Sequence, residues 1–456
     1  MKRHAPLAAA VLLALAGSGA FAASLDVATE YRMRALSYTN LNLNSDRNNQ
    51  AFISQRARLG FSLKDIAIGE FRGESQSMDV SIRLHALGVA GSTTPFTPPF
   101  DRISEHYPNT RLDPFIENAF MRVRNLGGLP WESTFGLQTF RLGSGLLLDD
   151  DGAGLTGFSA KGPLPWLDMR GQLFIFQPRN NQANPNDLEA FGFSLEIPAE
   201  GTWQLNQMLE RDHGAKSLAL GPCTTNPLIA CPAISKATRW FSSLHYDFNY
   251  GPMVLEAEAA LEKGAATPTG PTPLGNHITY NGNAQVLRAK WRQPLWSQTQ
   301  GIIRLLAARG SGDDAGTPTT DEAFFPSSGH RFDGLERAGW GEFFGATPYD
   351  AFGGQSTGTA SGLQKGVSGI VTVGVGITPP AYYGVVLDVD YYLYQADRNG
   401  IGPHRNLGTE LDLRLRYDVF DRFSLKASAA FFKAGSALDV GMSSARRYML
   451  EASGRF

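Results

Sequence analysis

Apolar and polar residues alternate with a period of two along most of the chain. In Tyr31-Arg32-Met33-Arg34-Ala35, the residues Tyr31, Met33 and Ala35 fall on one side. From Arg56 to Leu63 the apolar set is Ala57, Leu59, Phe61 and Leu63. Leu287, Ala289 and Trp291 alternate with Arg288, Lys290 and Arg292, and Val385, Leu387, Val389, Tyr391 and Leu393 alternate with Asp388 and Asp390. Near the end, Leu411, Leu413, Leu415 and Tyr417 alternate with Glu410, Asp412, Arg414 and Arg416. Successive side chains of a strand point to opposite faces, so these are strands with one apolar and one charged face. From Leu25 onward, eighteen such segments of about 9–14 residues can be marked. The pattern is weakest in 66–88, where EFRGESQSM interrupts it, and in 131–142, where its phase slips.

The connections between segments alternate in length. Tight ones fall at Gly127-Gly128, Gly162-Pro163, 198–201, Tyr250-Gly251-Pro252, Thr378-Pro379-Pro380 and 418–422. Long polar ones include 39–50, 88–112, 178–187, 212–236, 263–282, 310–366 and 395–406, giving eight short against nine long along the chain. A long loop after every odd strand is the asymmetry of a bacterial outer-membrane barrel. In lipid only a closed barrel satisfies every strand backbone. The last strand agrees: Tyr448, Leu450, Ala452 and Phe456 share one face. A terminal aromatic such as Phe456 on an amphipathic final strand is the signal by which the outer-membrane barrel assembly machinery takes up its substrates. The expectation is an all-β, transmembrane antiparallel barrel of about 18 strands, occupying 23–456 as one domain, with short periplasmic turns and long extracellular loops.

Composition narrows the class. Of 456 residues, 50 are Gly, 26 are Pro, 42% are hydrophobic, 11% aromatic and only 18% charged. A multidomain soluble protein carries about 25% charged residues, and disorder does not fit this apolar content. The only apolar run near the length of a bilayer-spanning helix is at the N-terminus. There Lys2, Arg3 and His4 precede the apolar run Ala5–Leu15, and Ala20-Phe21-Ala22 supplies a cleavage pattern. Residues 1–22 are therefore expected to be a signal peptide, which places the protein in the outer membrane of a Gram-negative bacterium. Losing Lys2 and Arg3 moves the formal charge from −2 to −4, which argues against a nucleic-acid partner. Export leaves Cys223 and Cys231 in an oxidising space within one loop, as suits a loop disulfide. Zinc on this pair would need further ligands, and His213 is the single candidate.

If the apolar face meets lipid, the charged face lines the lumen. Cations recur there two apart: Arg32/Arg34, Arg56/Arg58, Arg122/Arg124, Arg288/Lys290/Arg292 and Arg414/Arg416. Arg170, Arg239, Arg304, Lys426 and Arg447 join them. Facing acids include Glu30, Asp168, Asp247, Glu256, Glu258, Asp388, Asp390, Glu410, Asp412 and Glu451. Rings of cations select anions, and the guanidinium fork suits carboxylates. The competing reading is a ladder of opposite charges that braces the wall, and the recurrence of cation pairs tilts the balance toward anion conduction.

Several segments together resemble the alginate-export family of outer-membrane porins. They are YRMRAL, SQRARLGFSL, Gly310-Ser311-Gly312-Asp313-Asp314, Phe325-Pro326 with His330-Arg331-Phe332-Asp333-Gly334, and GTELDLRLRYDVFDRFSLKASAAFFKAG. The resemblance covers about Tyr31 to Phe456 and implies an eighteen-stranded barrel passing an anionic polyuronate or its oligomers. The family's Gly-Arg-Gln pattern is represented by Gly136-Leu137-Gln138, without its cation. Two acidic loop stretches offer hard oxygens for calcium: Asp313, Asp314, Asp321, Glu322, Asp333 and Glu336 with His330, and Asp149-Asp150-Asp151. Neither has an EF-hand or nonapeptide spacing, so solvated or lumen-folded loops are the expectation. No Ser lies in a nucleophile elbow, no His pair has helical metal spacing, and no CxxCH haem motif occurs. The overall expectation is a monomeric, cofactor-free, non-enzymatic porin for anionic solutes. A sheath around a separate electron-transfer protein and a non-selective porin are the alternatives.

Overall fold

The computed structural model describes residues 23–40, 49–90, 111–150, 152, 154–164, 168–179, 187–213, 234–268, 277–294, 300–314, 316–317, 319–327, 340–344, 369–398, 404–438 and 444–456. Eighteen long strands build the wall. They are β1 (Ser24–Thr39), β2 (Gln50–Phe71), β3 (Glu74–Val89), β4 (Phe115–Arg124), β5 (Glu132–Gln138) and β6 (Leu155–Leu164). There follow β7 (Met169–Arg179), β8 (Leu188–Pro198), β9 (Thr202–Asp212), β10 (Ile234–Tyr250), β11 (Met253–Pro268) and β12 (Asn283–Pro294). The last six are β13 (Gln300–Gly310), β14 (Ile370–Thr378), β15 (Val385–Gln395), β16 (Asn406–Phe420), β17 (Phe423–Ala434) and β18 (Ser444–Arg455). Each pairs antiparallel with its successor, and β1 pairs with β18, so the sheet closes without an edge. At the seam the Phe456 N–H donates to the Thr29 carbonyl (2.9 Å) and the Thr29 N–H to the Phe456 carbonyl (2.7 Å).

Antiparallel order sends alternate connections to opposite rims. Eight short ones, at 72–73, 125–131, 165–168, 199–201, 251–252, 295–299, 379–384 and 421–422, leave one rim, and nine longer ones leave the other. The expected turn at Gly162-Pro163 is displaced. Both residues lie inside β6, paired with Gly171 and Arg170. A Cβ on Gly162 would come within 2.6 Å of the Trp131 ring, so this glycine serves close packing and not a turn. The two weak stretches of alternation have physical causes. Between β2 and β3 the register shifts at Leu63/Ile66 and Ala67/Gly69, as β-bulges do. In 131–142, β5 ends at Gln138 and the chain leaves the wall for the lumen.

The outer face is apolar as the alternation requires. Tyr31, Phe61, Trp291, Tyr391, Tyr417 and Phe431 point outward and are 36–53% exposed. Trp203, Tyr246, Phe248 and Tyr250 stack in a row toward the short-turn rim, the position of an interfacial aromatic girdle.

The packed core lies inside the barrel, in the half nearest the long loops. The 139–154 connection turns inward and carries a two-stranded piece, Arg141–Leu142 with Leu148–Asp149. Its Phe140, Leu142, Leu146, Leu147 and Leu148 pack on inward-facing Phe174, Phe176, Met208, Phe241 and Val286. Parts of the 311–369 connection do the same, through Phe324 and Trp340 in this cluster and Phe343 and Phe344 in a second one with Tyr394 and Phe432. The two connections meet where the Ser327 N–H donates to the Leu147 carbonyl at 2.9 Å. The signal peptide expected over 1–22, the Cys223–Cys231 pair, and Asp151, His330, Asp333 and Glu336 lie outside the described residues.

Candidate solute pathway

The inward faces of single strands change character along their length. On β12, Ala284 and Val286 join the packed core, while Arg288, Lys290 and Arg292 continue the same face toward the short-turn rim. On β16, Leu407, Glu410 and Asp412 are buried under the loops, and Arg414 and Arg416 follow below. β15 repeats this with Tyr394 above and Asp390 and Asp388 below.

In the upper half, wall carboxylates accept hydrogen bonds from loop backbone. The Ser144 N–H donates to Glu258 Oε2 (2.8 Å), Phe325 to Glu262 (2.9 Å), Glu342 to Asp412 (2.9 Å), and Phe343 and Phe344 to Glu410 (2.6 and 3.0 Å). Such bonds satisfy buried loop N–H groups that have no strand partner. The loop passes so close to the wall that a Cβ at Gly143, whose φ is 59°, would sit 2.6 Å from Glu258 Oε1. Glu410 and Asp412, expected among the acids facing the lumen, hold the loop. Glu258 likewise does not face an open pore.

In the lower half and around the wall, most of the cation candidates meet carboxylates. Arg32 and Arg34 lie 3.9 and 2.7 Å from Glu451, and Arg58 lies 2.8 Å from Glu117. Arg56 pairs with Glu30, and Arg124 with Asp79 and, at 2.9 Å, with Asp65. Arg122 reaches Glu132 at 3.3 Å, Arg288 reaches Glu256 at 2.8 Å, and Arg304 reaches Asp388 and Asp390 at 2.9 and 3.0 Å. Arg414 pairs with Asp390 and lies 3.6 Å from Glu342, and Arg416 lies 3.5 Å from Asp418. Glu342 comes from the in-folded loop. Burial works to raise its pKa, but Arg447 and Arg414 beside it win and hold it below the usual carboxylate range. Bracing thus accounts for every candidate but three: among the described residues, Lys290, Arg292 and Arg170, the last beside the short turn before β7, have no carboxylate partner. All three are exposed. Asp168, expected on the wall, sits in the short turn before β7.

A cavity of about 150 Å³ opens on this wall, bordered by Arg288, Lys290, Arg304, Arg414, Trp340 and Tyr392. Glycines make room for it. At Gly376 a Cβ would overlap Asp390, and at Gly374 it would come within 2.7 Å of Tyr392. Side chains of β15 therefore lie flat across β14, and the cations of β12, β13 and β16 converge beside them. Four guanidinium or ammonium groups, one carboxylate and two aromatic faces make a local excess of positive charge suited to a small planar anion.

Two features were hidden in the alternation. Leu173-Phe174-Ile175-Phe176 is apolar on both faces, as is Tyr391-Tyr392-Leu393-Tyr394. A strand apolar on both sides needs cover on both sides, and a loop supplies it on the inside. The run Leu146-Leu147-Leu148 within a long connection was the matching signal for the loop.

No protein-family model matches the chain, and no curated protein matches it. Solved structures do match in fold. OpdK of Pseudomonas aeruginosa with vanillate is 13% identical, with a TM-score of 0.50 over 94% of this chain and 98% of that one. OccK2 (OpdF) of Pseudomonas aeruginosa is 12% identical, with a TM-score of 0.53 over 95% and 98%. OccAB4 of Acinetobacter baumannii is 11% identical, with a TM-score of 0.52 over 94% and 98%. The chain therefore has the fold of the outer-membrane porins, a closed antiparallel barrel of eighteen strands.

Proposed function

We propose that the protein is a passive outer-membrane channel for small carboxylate-bearing solutes. The observation that carries this reading is the stripe Arg288, Lys290 and Arg292 on β12, two of whose three charges are left unneutralised beside the cavity that Arg304 and Arg414 also border. A pore lined by uncompensated cations favours anions, and the fork of Arg suits carboxylate. Support comes also from the solutes of the structural neighbours, vanillate for OpdK and glucuronate for OccK2. Within this reading, the resemblance to alginate export extends the substrate class to uronates. The loops joined at Leu147 and Ser327 narrow the lumen and favour monomers or short oligomers over polymer. The same packing leaves the electron-transfer sheath without support, since the space that a partner would thread is occupied by this chain's own residues.

The test is reversal potential in planar bilayers under a salt gradient. The wild type is expected to prefer anions, and K290E/R292E to lose at least half of that preference. A cation-preferring wild type, or a double variant that leaves selectivity unmoved, would overturn the proposal. Uptake of glucuronate into proteoliposomes, set against an uncharged sugar of similar size, then ranks the substrate class.

A further inference from the structure

Below the loops, β10 and β11 place three ligand-type side chains together on the lumen wall. His245 and Asp247 are two apart on β10 and share its inward face. Asp247 stands directly opposite Glu256 on β11, and His245 opposite Glu258. One ligand atom from each of His245, Asp247 and Glu256 lies within 4.8 Å of the others. His245 Nε2 is 3.6 Å from Asp247 Oδ2 and 3.6 Å from Glu256 Oε1. Those separations exceed a hydrogen bond. Nε2 is nonetheless buried in a residue only 5% exposed, and among the described residues nothing lies within hydrogen-bond distance of it. A buried ring nitrogen aimed between two carboxylate oxygens, at ion-pair distance from both and hydrogen-bond distance from neither, needs an explanation.

We propose that His245, Asp247 and Glu256 form a binding site for a divalent transition ion of the zinc class. The spacing suits it, because two ligands each about 2.1 Å from a tetrahedral ion lie about 3.4 Å apart. Nε2 already stands near that spacing from each carboxylate. Closing the two carboxylate oxygens, which lie within 4.8 Å of each other, completes three zinc ligands, and the exposed side of Asp247 leaves a fourth position for water. The imidazole nitrogen sets the class: calcium and magnesium take oxygen ligands, whereas imidazole suits zinc and its neighbours. Arg288 acts from the outer layer. It donates to Glu256 Oε2 at 2.8 Å, which fixes the carboxylate and turns Oε1 toward Nε2. It also offsets the repulsion between the two acids when the site holds no ion. Glu258, opposite His245, is engaged with Ser144 and stays outside the set. The ion is held by the wall alone and requires no conduction, so this site stands or falls apart from the channel reading.

Isothermal titration of zinc chloride into the chelator-stripped, detergent-solubilised barrel tests the site. One site per chain is expected, at least tenfold weaker in both His245→Ala and Asp247→Asn, and unchanged in His404→Ala. An excess of calcium should leave zinc binding intact. Heat-modifiable electrophoretic migration reports whether each variant is folded. Should His245→Ala fail to fold, Asp247→Asn alone decides, because Asp247 is half exposed and the change is isosteric. Equal zinc binding in wild type and Asp247→Asn, absence of zinc binding in the wild type, or displacement by calcium would each overturn the proposal and leave a simple histidine–carboxylate contact.

Discussion

The two halves of the lumen use the same residue types to opposite ends. Near the long-loop rim, Glu258, Glu262, Glu410 and Asp412 accept loop N–H groups and are buried. Toward the short-turn rim, Asp388, Asp390 and Glu256 face Arg304, Arg414 and Arg288. A carboxylate above fixes the chain, and one below sets the field. The lesson is that charge on a pore wall has no role until the depth is known. Above, acids are spent on backbone donors, so the positive charge of the lower wall is less opposed than a count along the strands suggests.

The sharpest way to break the comparison is to empty the upper half. Phe174→Ala removes a ring packed on Phe140, which lies 4.9 Å away between centroids. A cost of about 3 kcal/mol is expected, read as a lower urea midpoint for the folded barrel, together with larger and noisier single-channel conductance. Next, Gly143→Val forces a branched side chain into a left-handed backbone against Glu258. It should detach the 139–154 connection and open the channel, and the loss of the Phe140 packing should lower the urea midpoint as well. Unchanged conductance would show that this loop does not limit the pore. Smaller again, Glu258→Ala strands the Ser144 N–H, at a cost of about 1–2 kcal/mol, visible as faster exchange of that amide.

Smallest is a pH effect on the in-folded 311–369 connection. Burial first, then the charges of Asp313 and Glu262, raises the pKa of Asp321 well above its usual value. A raised folded-state pKa contributes stability that is full below the unfolded value and is lost as pH rises through the folded one. The loop should therefore loosen as pH rises, and Asp321→Asn should abolish that trend in loop proteolysis rates. In the lower half, Arg416→Gln should change stability by less than about 1 kcal/mol, since its pair with Asp418 is exposed.

The wall was legible because a closed barrel with an apolar outer face and a charged inner one imposes strict alternation. Strand number, the rims, and outward aromatics such as Trp291 and Tyr391 all follow from it. The inward direction of Arg32, Arg34, Arg288 and Arg414 follows equally. What alternation does not encode is where a long connection goes. Leu146 to Leu148 and the doubly apolar stretch Leu173 to Phe176 held that information, but only as two separated anomalies whose meaning lies in their meeting. The partners of the arginines were also hidden, because Glu342 and Glu117 reach them across more than seventy or fifty residues of chain.

The seam between β1 and β18 carries a kinetic consequence. Arg34 donates to Glu451 at 2.7 Å across a separation of 417 residues. Contacts so remote in sequence form after local ones, because the loop they close is the most costly in entropy. Every hairpin between can assemble first, and this pair reports the last event, the zipping of a curved sheet into a tube. Weakening it should leave the folding rate almost untouched and hasten unfolding, the signature of an interaction absent from the transition state. The ion pair that joins the two ends of the wall is thus a latch on the lifetime of the barrel.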